Sequence, residues 1–215
     1  MPKARKHPNL RPLKTLKIFC EGAKTEPNYL QGYISLNRSA SRKVVIKIEP
    51  TKKNTALQLV EEAIEAKESR TSLPGDQFWV VYDREAVGKY SDEQHAKAYD
   101  KALKSGICVA LSNVCFEYWI LLHFIDTDAP YQNYEDIRKN SLLNEEIKRA
   151  CGVDYDKSSV SIFSILKGKI DIARQRGKKL NEKGKKSAAL GRDRPYQINP
   201  YVGVVDLLQA IDDFS

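Results

Sequence analysis

The sequence predicts an α/β fold: a parallel sheet of about four strands flanked by helices, followed by a C-terminal helical extension. Three observations carry this. Four short apolar runs, LKIFC (16–20), VVIKIEP (44–50), QFWVVYD (77–83) and ICVALS (107–112), alternate with segments of helical period, which implies right-handed crossovers and helices on both faces. Each run ends in turn or polar residues, and beyond Phe124 only helical patterns follow, with no convincing strand.

Taken in order, LKIFC reads as a buried strand closed by Glu21-Gly22. Thr25 and Pro27 then start a helix with Tyr29, Leu30, Tyr33 and Ile34 on its apolar face. After the second strand, Thr55 and Gln58 fit a capping box, and Leu57, Val60 and Ile64 recur at helical spacing. The third strand runs straight into Asp83-Arg84-Glu85. Ser91 and Gln94 open a helix with Ala96, Tyr99 and Leu103 on one face and Gly106 at its end. The fourth strand leads through Asn113 into an apolar helix at 114–124. Further helices are predicted near 133–139, 142–150, 159–180 with a break at Gly168, and 200–213 with Pro200 in its first turn; 181–194 reads as a mobile polar segment.

The 215 residues suit one domain with an elaboration: a basic N-terminal arm (1–17), an α/β core (18–125) and a Lys/Arg-rich helical extension (126–215). No apolar run reaches the ~18 residues of a membrane span and no signal-peptide core follows the basic N-terminus, so a soluble, cytoplasmic protein is expected. Cys20, Cys108, Cys115 and Cys151 lack metal or disulfide spacing and read as buried free thiols. The net charge of +8 is divided: residues 1–17 carry +6 and 167–194 carry +8, leaving −6 on the rest. Basic segments around an acidic body suit a protein that grips a polyanion at its rim, with Lys167, Lys169, Arg174, Arg176, Lys178 and Lys179 as nucleic-acid contacts.

The acids gather at the strand ends. Glu21 follows the first strand, Asp83 and Glu85 the third, and Glu117 the fourth, so a parallel sheet brings them to one rim. Crowded carboxylates raise one another's pKa unless a cation sits among them, and an oxygen-only donor set without a histidine cluster favours Mg²⁺ or Mn²⁺, one ion or two. Glu26 has two readings, a favourable charge in the first helical turn or a second-ion ligand. Glu117 lies in an apolar run and needs a partner: a metal, a lysine such as Lys24, or backbone amides near Asn113. His123 and Trp119 read as structural. No GxxxxGK[ST] phosphate loop is present.

IFCEGAKTEPNYL, VVYDRE and ALSNVCFEYWILLHF resemble, in order and spacing, the RloB-like family, regarded as a branch of the Toprim superfamily; the Lys/Arg-rich helix and the Asn199-Pro200 helix resemble its tail. The resemblance implies a Toprim-like, Rossmannoid sheet in which Glu21 matches the superfamily glutamate and Asp83 the first acid of its DxD. Glu85 departs from the second, where the family generally has aspartate. It further implies a metal-dependent nuclease of DNA or RNA, tRNA among them, in anti-phage defence and abortive infection. On this reading Glu21 and Asp83 would hold the essential ion, and Glu85 and Glu26 would support it or a second ion. Catalysis would rest on Glu21, Asp83 and Glu85, and Glu117, Asn113 and Lys24 would be supporting residues, Lys24 at the phosphates. The implied partners are nucleic acid and an RloA-like ABC-type ATPase; a homo-oligomer is compatible, a membrane partner is not. The alternative is a Toprim-derived module that binds nucleic acid or the ATPase without cutting.

Overall fold

The structure, a computed structural model, describes residues 12–37, 44–86 and 88–214. Four parallel strands, β1 (Lys14–Cys20), β2 (Val44–Glu49), β3 (Gln77–Asp83) and β4 (Cys108–Asn113), are joined by α1 (Thr25–Leu36), α2 (Ala56–Glu68) and α3 (Asp92–Lys104). A fifth strand, β5 (Tyr201–Val202), pairs antiparallel with β4 and completes the order β2-β1-β3-β4-β5. This corrects the expectation of no strand beyond Phe124. The remaining helices are α4 (Glu117–Leu122), α5 (Tyr134–Asn140), α6 (Leu143–Cys151), α7 (Ile162–Leu166), α8 (Ile170–Ser187) and α9 (Val204–Asp213).

Strand alternation divides the core into two layers. Leu16, Ile18 and Cys20 of β1, Trp79 and Val81 of β3 and Ala110 of β4 face one side, where α1 and α4–α9 pack. Phe19, Phe78, Val80, Tyr82 and Leu111 face the other, against Leu59, Val60 and Ala63 of α2 and Ala102 of α3. The path steps outward from β1 to β2, then reverses to β3 and β4. Right-handed crossovers therefore place α1 on one face and α2 and α3 on the other.

The 126–215 segment returns to this core, since α8 residues Ile170, Ala173 and Leu180 and α9 residues Val204, Leu207 and Leu208 share the cluster with the strands. Residues 181–187, expected to be mobile, continue α8. Asn181 fixes them: its amide donates to Val202 O at 3.0 Å and accepts from Val202 N–H at 2.9 Å. The helix expected at 114–124 is confined to Glu117–Leu122, and Pro200 lies ahead of β5 rather than inside α9. In α2 and α3 the most buried residues are Leu59-Val60-Ala63 and His95-Ala98-Ala102; of the predicted faces Val60 is among them, Ile64, Ala96 and Tyr99 pack partly buried against the same cluster, and Leu103 is exposed. The four cysteines are free; Cys20 and Cys115 are buried, while Cys151 is exposed. Of the basic arm, residues 1–11 lie outside the described residues, and Lys14 and Lys17 belong to β1. Among the described residues no helix is long and apolar enough to cross a membrane.

Candidate functional site

The strand order reverses between β1 and β3, and such a switch point opens a crevice beyond the carboxyl ends of the two strands. Glu21 and Asp83 flank it. The Glu21 N–H donates to Val81 O at 2.9 Å, extending the β1–β3 pairing one residue past the strand, and the Asp83 N–H donates to Glu21 Oε2 at 3.3 Å. Past β3, the Arg84 and Glu85 N–H groups donate to Ser112 O and Val114 O at 2.7 and 2.9 Å, which ties the acidic turn to the end of β4. Glu117, 1 % exposed, opens α4 immediately beyond.

Glu21, Glu26, Asp83, Glu85 and Glu117 line a single cavity of about 540 Å³, with Lys24, Lys89 and Lys157 among its other residues. Glu26 belongs here because its side chain folds back over the turn: an added Cβ on Gly22 would overlap its carboxylate. It is only 7 % exposed and sits in the first turn of α1, so the helix-terminus position and the cleft position belong to one carboxylate. Burial pushes the Glu21 carboxyl up to about 7, opposed by the Asp83 amide and reinforced by Glu85 and Glu26. Burial also raises Asp83 well above the usual carboxylate range, helped by Glu26, Glu117 and Glu21, and raises Glu26, helped by Glu117 and Glu85.

Two carboxylates already have cationic partners. Lys157 Nζ lies 3.0 Å from Glu117 Oε1, to which the Tyr155 hydroxyl also donates at 3.1 Å. The same ammonium sits 3.5 Å from the centroid of the Tyr134 ring. Burial would lower the Lys157 pKa, but the charge and hydrogen bond of Glu117 raise it on balance. At the mouth, Lys89 pairs with Glu85 at 2.9 Å. The partner that Glu117 required is thus a lysine and a tyrosine some forty residues away. No local signal marks Lys157 or Tyr155 in the sequence.

The other predicted residues disperse. Lys24 is exposed at the cavity edge. Asn113 donates to Tyr196 O and Ile198 O at 3.3 and 2.7 Å, holding the segment that precedes β5. His123 is a core residue: Nδ1 donates to Trp119 O at 3.0 Å and Nε2 accepts from the Tyr29 hydroxyl at 3.1 Å. Within the basic segment, Arg174 is held by Asp212, Tyr33 and Gln209, and Arg176 donates to Leu122 O at 2.8 Å. Lys169 lies over the Phe124 ring and Lys179 pairs with Asp126 at 3.3 Å, while Lys167 and Lys178 are exposed. Of these six, the two arginines are held by the protein itself and the exposed side chains are the lysines.

The donor set of the cleft, carboxylate oxygens alone, is the chemistry of a hard divalent cation. Among the described residues, however, no three His, Cys, Asp or Glu side chains stand close enough to hold a metal jointly. Glu117 and Glu85 lie instead against lysines, and Glu21 accepts from a backbone amide.

Fold and site together define a doubly wound α/β protein with a carboxylate-lined cleft at its switch point. The chain belongs to the RloB-like family: the family model for RloB-like protein matches residues 16–211. No curated protein and no solved structure matches it.

Proposed function

We propose that the protein is a metal-dependent nuclease that cleaves phosphodiester bonds of DNA or RNA, tRNA included, in an anti-phage module with an RloA-like ABC-type ATPase. The observation that carries the reading is the convergence of five carboxylates on one cavity at the switch point, three of them with raised pKa. Such a group is unfavourable when fully ionised and becomes favourable around a divalent cation. Glu21 and Asp83 are the residues that would hold Mg²⁺ or Mn²⁺, with Glu85 and Glu26 supporting it or a second ion. When bound, the cation supplies Lewis-acid charge to phosphate oxygens and activation of water. Lys157, Lys89 and Lys24 would contact the phosphates flanking the scissile bond, and Lys157 holds Glu117 in place meanwhile. The ATPase partner and the defence role rest on the family resemblance.

One observation favours a non-cleaving module instead: Lys157 and Lys89 neutralise two of the five carboxylates without any metal. The two readings separate in an assay of Mg²⁺- or Mn²⁺-dependent cleavage of DNA and tRNA, with and without the ATPase. Wild-type protein is expected to cut, and Glu21→Gln to lose at least about a hundredfold in rate, the scale of a misplaced reacting group. Equal behaviour of the two proteins under every condition would sink the catalytic assignment.

A further inference from the structure

Glu21 and Asp83 also border a second cavity. It holds about 260 Å³ between the N-terminal turn of α2 and the start of α3, and Thr55, Leu57, Tyr90 and His95 line it with the two acids. At ~30 Å³ per water this is room for roughly nine waters, enough to admit one nucleobase. The lining is that of a binding pocket, mostly apolar with a few polar groups. Ala56 and Leu57 bring apolar surface from α2, and Tyr90 an aromatic ring that meets the His95 ring edge-on at 6.0 Å. Gln94 Oε1 accepts from the Ser91 N–H at 2.8 Å, so what its side chain retains for a ligand is the amide donor.

His95 adds an independent observation. It is 2 % exposed and stacked between Tyr82 and Tyr196 at 6.2 and 6.1 Å. Its Nε2 lies 3.0 Å from Arg84 O; a carbonyl only accepts, so the proton is on Nε2 and Nδ1 carries a lone pair. That Nδ1 is buried without a partner among the described residues. A buried acceptor in this state is unusual in a folded protein.

A ligand that used both cavities would place an anion on one side of the Glu21–Asp83 pair and a flat, N–H-bearing heterocycle on the other. A nucleotide within a strand is built this way, and a base still stacked in a duplex cannot enter. We propose that the cavity between α2 and α3 receives an unstacked base adjoining the phosphate at the carboxylates, making single-stranded or locally opened nucleic acid the substrate class. The proposal rests on reading the carboxylate cleft as a phosphodiester site.

The probes are labelled oligonucleotides of one sequence: single-stranded, fully duplex, and single-stranded with one abasic position scanned along the strand. Binding is read by anisotropy in Ca²⁺, a hard cation that carboxylate oxygens hold, and cleavage separately in Mn²⁺. The single strand should bind about tenfold tighter than the duplex, and Leu57→Trp, which fills the cavity, and Tyr90→Ala should each weaken it about tenfold, the loss expected for one stacked base. Tyr90→Phe should keep wild-type affinity, and one abasic position should cost wild type that factor and Leu57→Trp nothing more. Thermal unfolding checks that Leu57→Trp folds; if it does not, the Tyr90 pair decides. Equal binding of single strand and duplex, or unchanged affinity in Leu57→Trp and Tyr90→Ala, overturns the proposal. So does loss of nucleoside monophosphate binding in Leu57→Trp with oligonucleotide binding intact, which would mark a free-nucleotide site. Cleavage indifferent to both variants sinks the base pocket and leaves the nuclease reading; cavity-dependent binding without cleavage in any metal does the reverse.

Discussion

Glu85 sits at φ 58°, a left-handed conformation that a long L side chain seldom adopts and that Asn and Asp tolerate better. Its N–H is held by Val114 O, so the backbone is fixed there by β4 rather than chosen by the residue. The side chain returns little, because its ion pair with Lys89 is largely exposed and such pairs contribute below about 1 kcal/mol. Glu85→Asn should therefore stabilise the metal-free protein by about 0.5–1 kcal/mol, a rise in Tm of about 2 °C for a chain of this size, since it eases the left-handed strain and removes one charge from the acidic group. Differential scanning calorimetry in EDTA checks this, and a lowered Tm would mean that the Lys89 pair outweighs the backbone term. The neighbouring Glu26 belongs at once to the first turn of α1 and to the lining of the cleft. Its carboxylate occupies the space above Gly22 that any other residue would fill with Cβ, so the glycine that turns the chain also admits the acid.

Between elements, Gly203 makes the closest approach to backbone. A Cβ there would stand 2.7 and 2.8 Å from Leu111 N and O, atoms of β4 that cannot swing aside, and its own N–H donates to Leu111 O at 2.8 Å. Gly203→Ala should push β5 and α9 off β4, with the 1–3 kcal/mol cost typical of overpacking and a Tm lower by about 5 °C. Wild-type Tm in that variant would show that the β4–β5 junction is looser than its geometry. The same junction shows what the sequence could disclose. β1, β3 and β4 are legible because each is an apolar run long enough to show its period, and so the acids at their ends were placeable too. β5 has two residues and hence no period, and the Asn181 amide that bonds both backbone groups of Val202 acts across twenty-one positions. For α2 the apolar spacing named Leu57, Val60 and Ile64; Val60 is buried and Ile64 packs partly buried against the core, Leu59 and Ala63 are buried beside them, and Leu57 is left to line a cavity. Glu117 was recognisable as needing a partner, whether metal, lysine or backbone amide. Which of 36 Lys/Arg would serve depended on how the loop after α6 returns to α1, where Thr25 Oγ1 donates to Lys157 O at 2.9 Å.

Across the whole molecule, the buried titratable groups pull stability in opposite directions with pH. Glu21 has its carboxyl raised to about 7 from an ordinary 4.5, so the folded state binds its proton more tightly than the unfolded one. Its contribution is fully present below pH 4.5 and is lost as pH rises through 7, by about 3 kcal/mol at 1.36 kcal/mol per unit. Asp83 and Glu26 act in the same sense. His95 and His123, both lowered by burial to about 4, act oppositely: their contribution is present above pH 6.5 and is lost as pH falls through 4. The raw curve of Tm against pH is thus a sum, and the comparison with Glu21→Gln isolates one carboxyl, since the amide oxygen can still accept the Asp83 N–H. In EDTA the variant should be more stable than wild type by several degrees at pH 8, and the gap should close by pH 5. Millimolar Mg²⁺ or Mn²⁺ should then raise wild-type Tm at pH 8, where the acids are ionised, more than at pH 5.5, and should leave Glu21→Gln nearly unmoved. Parallel curves for the two proteins from pH 5 to 8 would mean that Glu21 is better solvated than its burial indicates. A metal-induced rise of equal size in both would move the ion away from Glu21 and onto the remaining carboxylates of the cleft.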